Sequence, residues 1–371
     1  MTDGEIGHLL DELDATTDTD PDAALLTWAQ LTAHPDWPAL PAATRVAALD
    51  DAAAAYAGAG AGNLDRAATM AQEAFDAIAP DDPDRPYWIA MLARRVRERY
   101  ETAPHAGDLV RLVELSRAAV EGSAPGTPEL TLRLTALGGA LRLHYAACGD
   151  LAELDEAVQV LRRARELAAV HHADPAPAEN NLAVVLSDRY DRTGDLADLE
   201  EASAVALNAS EKIDPADSGL SRLQNLLAAL HLDRYERSGR AAELDLSITS
   251  ALAAVTGAHG GSPELPGYLN NLGNAYRLRF EATLAATDWH SPGAVALDVR
   301  DLRGSIEAHR RAVELAPPDS PDRPKFLTNL GNILADSALV SPLRAALTRR
   351  SGCSTMRLRP RRPGRHIAPG G

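Results

Sequence analysis

The chain has 371 residues but only two cysteines, Cys148 and Cys353. They form no CxxC pair and no metal-type cluster with histidine, so no disulfide framework or thiolate metal centre is expected. A reducing compartment, the cytoplasm, fits this usage best. Long apolar runs are also missing: no stretch approaches the roughly 18 uninterrupted apolar residues that a membrane helix needs. The acidic opening "MTDGEIGHLLDELDA" reads as no secretory leader. Alternating runs of β-branched residues are absent, so almost no strand is expected. Aromatics make up 4% of a chain that is 45% hydrophobic, so the core must be built from Ala and Leu. Ala, Leu, Arg and Glu dominate, and they are good helix formers.

Positive charge is outnumbered until the end. The net charge is -16, yet residues 337–371 hold eight Arg and no Asp or Glu, so the first 336 residues carry -24. Such a body repels nucleic acid and anionic membrane, and neither is expected as a partner.

What the chain does have is repetition. "LSDRYDRTGDLADLEEA" begins at Leu186; similar phrases begin 45 residues earlier at Leu141 and 45 later at His231. The aromatics Tyr100, Tyr145, Tyr190, Tyr235 and Phe280 keep this step, as do Leu92, Leu137, Leu182, Leu227 and Leu272. A period of this size marks stacked supersecondary units. It overrides the two or three globular domains that length alone suggests, because an array extends one continuous core.

Each unit reads as two helices. Leu182, Val185, Leu186 and Tyr190 share one helix face. Gly194 suits the left-handed end of that helix, and Asp195 the N-cap of the next, with Asp198 in its first turn favoured by the helix dipole. The second helix carries small residues at i, i+4 and i+7: Ala157, Leu161 and Ala164; Ala202, Ala206 and Ala209; Ser247, Ala251 and Ala254; and first Ala67, Ala71 and Ala74. Joins such as "PDDPDRP" (80–86) and "PPDSPDRP" (317–324) end one unit and open the next.

"NLGNAY" (271–276) carries Leu272, Gly273 and Tyr276 at the spacing of the tetratricopeptide repeat, and Ser305, His309, Ala312 and Pro317 follow at that family's small–aromatic–Ala–Pro spacing. The chain thus resembles tetratricopeptide repeat proteins over roughly residues 45–336. Its unit of 45 residues exceeds the common 34, as in the long-helix arrays of actinobacteria that often precede a caspase-like CHAT peptidase domain. The resemblance implies an all-α fold: an α-solenoid of antiparallel helix pairs wound as a right-handed superhelix, with the first helices lining a concave groove.

Residues 1–44 read as a lead-in with one short helix near Ala23–Leu31. A degenerate unit covers about 45–80, and full units follow at about 86–128, 129–174, 175–218 and 219–262. The next, at about 265–318, is longer. "NLGN" recurs at 329–332, 58 residues after 271–274, so "TLAATDWHSPGAVALD" (283–298) contains a 13-residue insertion at the helix turn, with Trp289 and His290 in it. A sixth unit opens at Pro324, but its aromatic slot holds Ala338. After Asp336 the pattern gives way to the Arg-rich residues 337–371, where a changed reading frame or a truncated gene is the hypothesis. "SALVSPLRAAL" could cap the array; disorder is expected beyond Thr348.

Chemistry has few footholds. The Gly-rich run at 55–63 follows a helix and lacks a Lys-Ser/Thr sequel, so it reads as a helix turn rather than a phosphate loop. Cys148 occupies a turn slot held by Thr193 and Ser238 in sister units, a slot needing only a small residue. His171 and His172 adjoin Asp174 in a loop, without further ligands. His231 sits in a core stripe. No catalytic residue, cofactor, metal or small-molecule substrate is expected.

Two ladders remain. Asn180, Asn225 and Asn270 recur two residues before the repeated Leu. In the tetratricopeptide family that position and the one two after the Leu face bound peptide, so by resemblance Asn180, Asn225, Asn270, Asn274 and Asn332 are candidate groove contacts. An amide can both donate to and accept from an extended backbone. The alternative is a ladder tying adjacent units together. The Lys of the family's carboxylate clamp is replaced by Asn270 and Thr328. Arg99, Arg189, Arg234 and Arg279 recur just before the aromatic, with His144 in the missing rung. Arg189, Arg234 and Arg279 are candidates for the same groove, or else pair with Asp188, Asp191 and Asp233 on a solvated face. The reading is a cytoplasmic scaffold or adaptor that binds other proteins or peptides. Its rival is the sensor or regulatory part of a CHAT-type caspase-like peptidase system lacking its catalytic domain.

Overall fold

A computed structural model describes residues 3–105, 107–214, 217–286 and 299–338. Residues 287–298 of the inserted segment, with Trp289 and His290, and residues 339–371 of the Arg-rich tail, with Cys353 and most of the cap sequence, lie outside these residues. The described residues contain helices and turns and no strand. None of the helices is long and apolar enough to cross a membrane.

The chain forms two compact units, residues 1–209 and 210–371. In the first, α1 (Asp3–Thr17), α2 (Pro21–Ala33), α3 (Ala42–Gly58), α4 (Leu64–Asp76), α5 (Arg85–Thr102), α6 (Asp108–Glu121), α7 (Pro128–Cys148), α8 (Leu151–Val170) and α9 (Ala176–Thr193) pack each against the next. α10 (Leu196–Lys212) carries the boundary. The second holds α11 (Ser218–Ser238), α12 (Ala241–Gly257), α13 (Leu265–Ala286), α14 (Arg300–Leu315) and α15, residues 323–338. Odd-numbered helices from α3 onward are the first helices of the repeats. Those of successive repeats also touch directly: α3 with α5, α7 with α9, α11 with α13.

The lead-in departs from expectation. It is a full antiparallel pair, α1 and α2, both packed on α3. Ile6 and Leu13 on α1 are buried with Trp28 and Leu31. Seven residues separate them, two turns of one helix face, hidden in the sequence among acidic neighbours.

The turns follow the expected chemistry. Gly149, Gly194 and Gly239 adopt φ of +72°, +71° and +65°, and their N–H groups donate to the carbonyls of Tyr145, Tyr190 and Tyr235 at 2.7, 2.7 and 2.8 Å. Asp150 and Asp195 accept from the N–H of Ala152 and Ala197 at 3.1 and 3.0 Å. The slot before the glycine needs more than small size. Thr193 and Ser238 oxygens accept the N–H two residues on, at 3.2 and 3.3 Å, and the Cys148 sulfur does the same at 3.4 Å. The repeated join has a similar device. Arg85 donates to the Ile78 carbonyl at 3.1 Å and Arg323 to those of Val313 and Ala316 at 2.7 Å, occupying carbonyls that a helix end leaves free.

Within each pair, the residue after the repeated Leu faces a residue 23 positions on, or 36 across the insertion. The sizes are complementary. Gly138 faces Leu161 and Gly273 faces His309, whereas Ala183 and Ala228 stand at the slots matched to Ala206 and Ala251, all four at 0% exposure. Two helices approach closely where both residues are Ala; where one is bulky, only Gly leaves room.

Candidate protein-interaction surface

The Arg ladder is an internal brace. Nε and Nη2 of Arg189 donate to the two carboxylate oxygens of Asp198 at 2.8 and 2.6 Å, and Nη1 reaches Asp155 at 3.0 Å. Arg279 repeats this with Asp301, 2.8 Å on both arms, and with Asp245 at 2.7 Å. Arg99 pairs with Asp108 and lies 3.7 Å from Asp65. His144, in the missing rung, meets Glu153 at 3.2 Å. Arg234 holds the fourth rung, with Glu243 at the slot matched to Asp198. Arg99, Arg189 and Arg279 thus tie their own repeat's second helix and reach the second helix of the repeat before. The expected pairing of Arg189 with Asp188 and Asp191 is corrected: side chains next to Arg189 and two residues from it do not share its helix face, and Asp188 instead accepts from Arg142 at 2.6 Å. Asp198 and Asp108 are buried, so the first-turn acid answers a guanidinium as well as a helix dipole.

Asparagine forms a second tie, in which residues beyond the predicted set take part. Asn271 donates its amide to the Asn225 oxygen at 3.0 Å, and Asn329 donates to the Asn270 oxygen at 2.8 Å. Asn181 makes the equivalent reach to the Thr135 carbonyl at 3.5 Å. The donor always stands one residue after the ladder slot, on the next repeat's first helix. Asn270 is 1% exposed. Its amide oxygen is committed to the neighbouring repeat, as the tie reading has it.

Asn180 and Asn274 are half-buried and Asn332 is exposed. None of the three makes a side-chain hydrogen bond among the described residues. In the second unit, Asn225, Asn270 and Asn271 line a cleft of about 340 Å³ with Tyr268, Lys325 and Phe326.

Titratable groups elsewhere serve packing. The His144 ring nitrogen Nδ1 faces both Cys148 Sγ, at 3.9 Å, and Glu153. One nitrogen cannot relay a proton between two partners that share it. His231 meets the Glu243 carboxylate at 2.9 Å. Among the described residues no group of three or more His, Cys, Asp or Glu could hold a metal ion. Burial pushes Asp50 and Asp51 up, Asp51 to about 6, with Asp14, Asp50 and Asp18 adding repulsion.

His309 is fully buried, and neither ring nitrogen has a hydrogen-bond partner. Burial, with Arg277 nearby, lowers its pKa to about 4. The unfolded chain therefore binds a proton between roughly pH 6.5 and 4 that the folded chain refuses. Stability is full above that window and falls as pH drops through it. The expected loss is roughly 2–3 kcal/mol, read as a falling urea midpoint for α13–α14. His309→Leu should remove that contribution; an unchanged pH profile in the variant would show that His309 does not carry it.

Together these ties define an all-α protein of antiparallel helix pairs in 45-residue repeats, the α-solenoid architecture of tetratricopeptide-like arrays. No protein-family model matches the chain, and no curated protein matches it. Solved structures similar to it include BtubC from P. vanneervenii, 16% identical, with 90% of this chain and 100% of that one covered and a TM-score of 0.43. A Podospora anserina putative kinesin light chain with nearly identical TPR-like repeats is 17% identical, with 58% and 98% covered and a TM-score of 0.43. The S. pombe nuclear import adaptor Nro1 is 13% identical, with 88% and 99% covered and a TM-score of 0.34. These likenesses are loose, and the architecture stands on the repeat geometry above.

Proposed function

We propose that this chain is a protein-interaction scaffold that holds peptides of partner proteins across its first helices and makes or breaks no bond. The observation that carries the reading is the division among asparagines on one helix set. Asn181, Asn271 and Asn329 tie repeats together, while Asn180, Asn274 and Asn332 keep their amides uncommitted. An amide held on a rigid helix can donate and accept at once, which suits a peptide backbone. The cytoplasm is the proposed setting, and an adaptor role follows if two partners engage different repeats.

The test uses the full chain as bait in a lysate of its host. The triple variant Asn180→Ala, Asn274→Ala, Asn332→Ala should keep the wild-type melting temperature within about 2 °C, since none of the three side chains makes a hydrogen bond that the variant would lose. It should retain at least tenfold less of whatever proteins the wild type retains. Equal retention by both would remove these amides from the binding surface.

A further inference from the structure

The asparagine tie has a gap in the first unit. At the α5–α7 seam the donor and acceptor slots are occupied by Ala136 and Ala90, two methyl groups in place of two amides. An open cleft of about 240 Å³ lies there. Its walls are mostly apolar: Ala90, Met91 and Ala93 on α5, Leu112 and Ala119 on α6, and Leu132 and Ala136 on α7. Leu132 is 68% exposed at its edge. Three guanidiniums, those of Arg94, Arg97 and Arg133, also line it. Arg94 and Arg97 hold only i,i+4 partners on the same helix, Glu98 and Glu101, and are 61% and 45% exposed. Such exposed pairs contribute little, so an incoming carboxylate can replace them. Arg133 donates to the Ser123 hydroxyl at 2.6 Å and makes no ion pair among the described residues.

We infer that this cleft receives one aliphatic side chain of an acidic peptide, with flanking Asp or Glu carboxylates on Arg94, Arg97 and Arg133. The proposal rests on the scaffold reading and names the chemistry of one of its contacts. An apolar floor of this size fits Leu, Ile or Met, and the three guanidiniums that line the cleft favour carboxylates over basic side chains. The neighbouring seam shows why the site is local. Between α7 and α9, Asn181 reaches the Thr135 carbonyl across the equivalent gap.

The experiment is selection of a phage-displayed library of random 12-residue peptides on the full-length wild-type chain and on the double variant Ala90→Asn, Ala136→Asn. Ala90 is half-buried and Ala136 exposed, so the variant installs the tie found at other seams without disturbing the core. Circular dichroism melting verifies that it folds. The wild type should enrich peptides with an aliphatic residue within two positions of Asp or Glu. A synthetic peptide of that class should bind the double variant at least tenfold more weakly, and an Arg133→Glu variant likewise. Enrichment of basic or purely aromatic peptides, or equal binding by wild type and folded double variant, would overturn the assignment. In either case the loss of host partners by the asparagine variants would still stand, so the two readings fail separately.

Discussion

Arg189→Ala is expected to lower the stability of the array by about 3–5 kcal/mol, the cost of leaving a buried carboxylate without its cation. The Asp198 side chain is only 4% exposed, and Arg189 covers both of its oxygens. Arg189→Lys should recover little, because an ammonium cannot span two carboxylate oxygens as a fork does. Arg142→Ala, which breaks a half-exposed pair with Asp188, should cost under about 1 kcal/mol. The double variant Arg189→Met, Asp198→Leu should restore most of the loss, since it removes the charge together with its partner. Urea denaturation measures the total, and hydrogen exchange should place the loosening at α9 and α10. A single Arg189→Ala variant with wild-type stability would mean that the guanidinium–carboxylate pair contributes nothing.

The second large effect is at Gly138. A Cβ there would lie 2.4 Å from Leu161 Cγ, well inside contact distance. Gly138→Ala should therefore cost about 1–3 kcal/mol through overpacking, despite the roughly 1 kcal/mol that Ala gains over Gly in a helix. Leu161→Ala alone should cost about 2–5 kcal/mol by opening a cavity. Together they recreate the Ala183 and Ala206 pairing of the next repeat, so the double variant should be more stable than the sum of the singles by at least about 2 kcal/mol. Additive effects in that cycle would show that the two residues do not set each other's size.

The sequence carried the period, the helix pairs, the left-handed glycines and the aspartate caps, because each is local and recurs at a fixed step. What it concealed were partners set by stacking. Arg189 lies beside Asp188 in the sequence, yet its partners are nine residues ahead on the next helix and 34 behind on the previous repeat. The tie at Asn225 and Asn270 uses Asn271 and Asn329, one residue off the visible ladder, because adjacent first helices meet with that offset. The Gly138 and Leu161 match was legible in principle as a size correlation 23 residues apart. The apolar stripe of α1, Ile6, Leu9, Leu10 and Leu13, is short and sits in an acidic segment outside the 45-residue period, so no repeat marks it. The Asn332 and Asn274 amides could be located on helices from the repeat, but their lack of partners could only be seen once the helices were placed.

The recurring asparagines divide into those that hold repeats together and those proposed to face a partner. The most direct measurement is the urea midpoint of Asn181→Ala, Asn271→Ala, Asn329→Ala beside that of Asn180→Ala, Asn274→Ala, Asn332→Ala. The first set should lose stability, about 1 kcal/mol for each tie removed, while the second stays at the wild-type midpoint. A destabilised second set with an unaffected first would contradict the division.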